Sequence, residues 1–173
     1  GGGIQNIDQV RQLLRFGADK VAINTASIED PNLVSQIANQ FGSQCCVVSI
    51  DYRCSESGLN EVFIRSGTQP AGLDPVEHAI RSETAGAGEI LLTSIERDGT
   101  MSGYDIDTIA AVADAVSIPV IASGGCGSFE DMHAALTVGN ANAIAAASIF
   151  HFTEMTPLEA KRYLHDAGHP IRL

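Results

Sequence analysis

The sequence predicts a parallel α/β fold. Short β-branched runs alternate with helical patterns, and the runs are nearly continuous in apolar character, as strands covered on both faces of a parallel sheet are. The links between them are short, and several helices open on an Asp-Pro or Thr-Pro pair, an N-cap followed by a proline at the first helical position. The chain has 173 residues, 45% of them apolar, which is enough for one sizeable core. Residues 1–173 are therefore expected to form a single domain.

The elements follow in order. Asp8 to Phe16 places Val10, Leu13 and Leu14 on one side of a helix that stops at Gly17. The five runs predict core strands near 19–24, 45–51, 89–93, 118–123 and 142–147. Asp30-Pro31 opens the helix between the first two, and Asp74-Pro75 the helix before the third. Helices at Asp105 to Val116 and Phe129 to Val138 separate the later strands, and Thr156-Pro157 opens a last helix over Leu158 to Ala167. One connection is irregular. After Asp51 come Tyr52 to Gly58 and then Asn60 to Arg65 before Ser66-Gly67, a small hairpin inserted in a loop, where insertions usually work on a ligand.

Twenty-one acids against ten Lys and Arg give a net charge of −11 and a pI near 4.6, with no basic run to follow a phosphate backbone. Nucleic acid is thus excluded as a partner. The longest uncharged apolar stretches fall short of the ~20 residues of a membrane helix, and no secretory leader is read at the start. Cys45, Cys46, Cys54 and Cys126 show no metal-type spacing; they are expected to be buried packing groups, with Cys126 the one near a ligand, in a reducing, cytoplasmic setting. His78, His133, His151, His165 and His169 share no spacing and read as structural or surface residues.

The chain also echoes itself. A shift of 122 residues (Gly2 to Gly124) lays Gly2-Gly3 on Gly124-Gly125, Asp8 on Glu130, Leu14 on Leu136 and Gly17 on Gly139, with a strand following in both copies. A glycine-rich turn, a helix and a strand recur twice, so two related phosphate cradles are expected.

Longer segments carry a resemblance from end to end: Gly1-Gly-Gly-Ile4, Gly17 to Ala26, Phe41-Gly-Ser-Gln44, Ser49-Ile-Asp51, Gly86 to Thr100 with its Arg97-Asp98-Gly99-Thr100, Ile121 to Gly125, Ala147 to Phe152 and Ile171-Arg-Leu173. In these the chain resembles the cyclase subunits of imidazole glycerol phosphate synthase, (βα)8 barrels of histidine biosynthesis. The glycine motif at the start follows the third strand in that family, so the resemblance implies an incomplete barrel holding the last five strands, without the family's first catalytic aspartate. The isolated chain is accordingly expected to show negligible turnover.

The same resemblance implies roles for residues here. Asp98 is the general acid/base and Asp51 the carboxylate that positions substrate. Gly3, Asn24 and Thr25 serve one phosphate of an elongated bisphosphorylated ribonucleotide, and Gly124, Gly125, Ala147 and Ser148 the other, with Ser66, Thr93 and Ser123 also among the residues that bind the substrate. No cofactor or metal is implied. Asp19, Lys20, Gln44 and Glu89 match the entrance at the far end, where ammonia arrives from a docked glutaminase. Taken alone, Arg97-Asp98-Gly99-Thr100 is also a turn sequence, Asp51 a cap, and the four entrance residues surface groups. Tyr52 stands where the family has a small residue, and Arg53 to Gly58 is unusual, which raises altered substrate use: a related group delivers ammonia to a sugar in surface-polysaccharide pathways. A non-enzymatic alternative is a self-associating homo-oligomer of the fragment that only binds phosphate, because open sheet edges recruit other chains.

Overall fold

The computed structural model describes residues 1–55 and 58–173. Its elements are α1 (Ile7–Arg15), β1 (Val21–Ile23), α2 (Thr25–Glu29), α3 (Asn32–Phe41), β2 (Cys46–Cys54), β3 (Asn60–Ile64), β4 (Gln69–Pro70), α4 (Pro75–Ala85), β5 (Glu89–Ser94), α5 (Ile106–Ala115), β6 (Val120–Ser123), α6 (Phe129–Thr137), β7 (Ala143–Ile144), α7 (Ser148–Phe152) and α8 (Pro157–Asp166).

The caps explain most boundaries. Asp74 accepts from the Val76 and Glu77 amides at 2.8 and 3.1 Å with Pro75 opening α4, and Ser128 with Asp131 and Thr156 with Glu159 form reciprocal capping boxes on α6 and α8. Two starts shift from expectation. Asn6, not the region of Asp8, caps α1 by accepting from the Gln9 amide at 3.1 Å; Pro31 itself occupies the N-cap of α3, and Asp30 accepts from the Asn32 amide at 3.2 Å.

Five strands pair in parallel in the order β1-β2-β5-β6-β7, which is also their chain order. Right-handed crossovers between successive neighbours put all their helices on one face, as in the wall of a (βα)8 barrel. Burial follows. On β2, β5 and β6 the residues Val48, Ile50, Ile90, Leu92, Val120 and Ala122 are buried under helices, whereas the alternate residues Ser49, Asp51, Leu91, Thr93, Ile121 and Ser123 are half-buried on the bare face. The expectation of strands covered on both faces is thus corrected: one face only is packed. Among the described residues the sheet stays open, β1 and β7 each pairing on one side alone.

The inserted hairpin is present. Strand β3 runs antiparallel to the second half of β2, on the edge whose first half carries β1, and β4 follows β3. Residues 56 and 57 of the Arg53 to Gly58 segment lie outside the described residues. Of the cysteines, Cys46 and Cys126 are buried, but Cys54 is exposed because β2 runs beyond the helix layer at its end, so it is not a packing group. Burial, with Cys45 adding to it, pushes the Cys46 thiol up to about 11.

Candidate active site

Two clefts open at the C-terminal ends of the strands. The larger, about 750 Å³, is walled by Gly1 to Gly3, by Asn24 and Thr25 after β1, by Ser49 and Asp51 of β2, and by Arg65 and Ser66 of the hairpin. The smaller, about 240 Å³, lies against Asp98 and Gly99 after β5, Ser123 to Cys126 after β6 and Ala147-Ser148 after β7. Nine of the predicted ligand residues therefore line one or other cleft. The tenth, Thr93, lines neither; it sits in register between Asp51 and Ser123 and continues the polar row from one cleft to the other.

The glycine pairs justify the internal echo. Gly2, Gly3, Gly124 and Gly125 have φ of 83°, 70°, 89° and 104°, a region that side chains with a Cβ rarely adopt. The second pair is more demanding, since a Cβ would stand 2.4 Å from the Ser94 carbonyl oxygen at Gly124 and 2.2 Å from that of Gly103 at Gly125.

Asp51 holds the better defined carboxylate. Burial pushes its pKa up and the charge of Asp98 adds to the push, while hydrogen bonds from Ser49, whose Oγ donates at 3.2 Å, and from Asn24 oppose it. Asp98 is exposed in its turn, its amide donating to the Ser94 carbonyl at 3.0 Å. The two carboxylates thus sense each other although they line different clefts. Asn24 donates from Nδ2 to the Phe63 carbonyl at 3.2 Å, and among the described residues its buried Oδ1 has no partner. A buried acceptor left without a donor costs roughly 1–3 kcal/mol, which an N–H or O–H of a ligand would recover.

Arg65 also lines the larger cleft, and sequence reading did not single it out. Its backbone is left-handed at φ 52°, its amide donates to Thr25 Oγ1 at 3.0 Å, and its guanidinium pairs with Glu29 on the wall of the larger cleft. The signal that could have found it is a cation beside Ser66 in the inserted hairpin. Tyr52 is corrected. Successive strand residues face opposite sides, so next to the cleft-lining Asp51 it turns to the helix side, 1% exposed, and leaves the cleft shape untouched.

At the opposite end of the sheet Lys20 and Glu89 form an ion pair across β1 and β5, with Asp19 exposed beside Lys20. Gln44 stands apart from that pairing, its Nε2 donating to the Phe41 carbonyl at 3.1 Å. The histidines outside the clefts divide. His78 is buried, with burial and then Arg81 lowering its pKa to about 4, and shares a 3.3 Å contact with Ser27; His133 and His169 hydrogen-bond at 2.9 Å, and His151 and His165 are exposed. Among the described residues no helix is long and apolar enough to cross a membrane.

A family model described as histidine biosynthesis protein matches residues 1–156.

Proposed function

Because the chain belongs to the histidine biosynthesis protein family, enzymes of (βα)8-barrel type, we propose that its site is that of the cyclase reaction: ammonia addition to a bisphosphorylated formimino-aminoimidazole carboxamide ribonucleotide, giving imidazole glycerol phosphate and aminoimidazole carboxamide ribotide. The observation that carries this reading is the pair of glycine-rich clefts at one end of the sheet, with Asp51 on the wall of one and Asp98 on the wall of the other, coupled in charge. An elongated substrate with a phosphate at each end fits two cradles, with Asp51 beside one to orient it and Asp98 beside the other to move protons.

The roles follow from the environments. Backbone amides of Gly3 and of Gly124-Gly125, with Thr25, Ser66 and Ser148, receive the phosphates, and Arg65 exchanges Glu29 for one of them, an anion that offers more oxygens. Asn24 Oδ1 accepts from the substrate. Asp51, whose protonated form is favoured by burial, orients it, while Asp98, in solvent contact, takes the proton from the attacking nitrogen and returns one to the departing oxygen. Ammonia enters from the end marked by Lys20 and Glu89, supplied by a glutaminase docked there. Altered substrate use gains nothing from Tyr52, which is turned away from the clefts.

The test has two arms. Inorganic phosphate titrated into the chain is expected to shift the amide resonances of both glycine turns, and Arg65→Ala to weaken the first site about tenfold. Ammonia-dependent formation of imidazole glycerol phosphate is then assayed with a separately expressed segment supplying the family's first three strands; Asp98→Asn is expected to lower it 10² to 10⁴-fold. Unmoved amides at both turns, or turnover insensitive to Asp98→Asn, would overturn the assignment.

A further inference from the structure

The segment between β5 and α5 carries Asp98, and it is an unusually constrained loop: Gly99, Met101 and Gly103 have φ of 81°, 55° and 92°. It also rests on the second cradle, with the Gly103 amide donating to the Gly125 carbonyl at 2.8 Å and Tyr104 Oη to the Ala145 carbonyl at 2.9 Å. What holds its two ends is the inserted hairpin.

At the start of the loop, the Ile95 amide donates to the Tyr52 carbonyl at 2.9 Å, and the Cys54 amide donates to Glu96 Oε2 at 3.2 Å. At its end, Tyr52 Oη donates to Asp105 Oδ2 at 3.0 Å, the residue that also caps α5. Thr108 Oγ1 donates to the same oxygen at 2.7 Å and in turn accepts from Asn60 Nδ2 of β3 at 2.7 Å. Tyr52 and Thr108 are 1% and 7% exposed, so the bonds at the far end of the loop are partly sheltered from water, whereas the Cys54–Glu96 bond lies at the surface. Burial first, and the Asp105 carboxylate second, push the Tyr52 phenol far above its usual range, which keeps it a donor.

A side chain needed only to fill space between sheet and helix would be phenylalanine. Burying a hydroxyl there costs free energy unless its partner is fixed, and the fixed partner here is the far end of the Asp98 loop. We propose that Tyr52 is a positioning residue for Asp98: its hydroxyl, through Asp105, ties the far end of the loop to the hairpin whose backbone holds the near end, and so keeps the carboxylate at the mouth of the smaller cleft. The kinetic consequence rests on the cyclase reading; the clamp itself does not.

Tyr52→Phe keeps the ring and removes the hydroxyl, and Asp105→Ser keeps a capping residue but is too short to reach Tyr52. In each variant, amide hydrogen exchange over residues 97–103 is expected to rise about tenfold while Ile90 to Leu92 stay protected. The double variant should add little, since both changes cut one connection. If Asp105→Ser does not fold, Thr108→Val takes its place in the cycle. In the ammonia-dependent assay Tyr52→Phe is expected to lower kcat about tenfold or more with KM within about twofold, the mark of a misplaced catalytic group rather than a damaged cradle. Unchanged loop exchange in Tyr52→Phe, additive effects in the double variant, or faster exchange with an unaltered kcat would each overturn the proposal. A wild-type protein without cyclase turnover would remove the proposed function, while exchange and the mutant cycle would still decide the clamp.

Discussion

Asp51 is a residue whose presence works against the fold that carries it. Its folded-state pKa is raised, so the folded chain binds the proton more tightly than the unfolded chain does. The stabilising contribution is present below the unfolded carboxylate value of ~3.9 and is lost as pH rises through the raised value. Asp51→Asn is therefore expected to raise Tm at pH 7, with ~2–4 °C for each kcal/mol at this chain length, and the gain should vanish in melts run below about pH 4. An unchanged or lower Tm at pH 7 would contradict the burial of this carboxylate. The place of Asp51 and Asp98 in the clefts was legible because they end or follow apolar runs, at the end of a parallel sheet where clefts open. Arg65 was not, since its approach to Thr25 exists only once β3 has folded back along β2. Tyr52 was legible as an oddity but not as a helix-side residue, because the strand was expected to stop at Asp51, whereas β2 runs on to Cys54 and carries the alternation of faces past it.

Among the elements, the two glycine turns look alike in sequence and differ in surroundings. At Gly2 an added Cβ meets nothing within 4 Å, so Gly2→Ala pays only the left-handed backbone, about 1 kcal/mol. At Gly125 the same methyl meets the Gly103 carbonyl oxygen at 2.2 Å, and Gly125→Ala is expected to cost more than about 3 kcal/mol in chemical denaturation. Equal costs would mean that the loop over Gly125 yields freely. The longer elements were readable from their caps and periodicity. The five-residue helices α2 and α7 were not, because a single turn and a half is too short to show a period; both exist because the chain turns back directly after a strand.

For the whole molecule, the alternation of runs gave the parallel order, but not the bare face of the sheet, since an apolar run reads the same whether one face or two are covered. Leu91 and Ile121 are half-buried there, and β1 and β7 present unpaired edges among the described residues. Light scattering of the 173-residue chain is expected to give at least a dimer. A monomer at micromolar concentration would show that these surfaces tolerate water.

Strand β2 pairs along one edge with β1 and then β3, and along the other with β5. Three partners meeting on nine residues make it the place where the folding transition state should already be ordered, the short hairpin closing first because little loop entropy is spent on it. Ile50→Val, a loss of about 1 kcal/mol in the middle of β2, is expected to slow refolding and leave unfolding nearly unchanged. Ile149→Val in α7, next to the last parallel strand, should instead speed unfolding. A chevron pair with the opposite assignment would move the nucleus away from the strand that bears Asp51, and the kinetics would then no longer link the order of folding to the construction of the site.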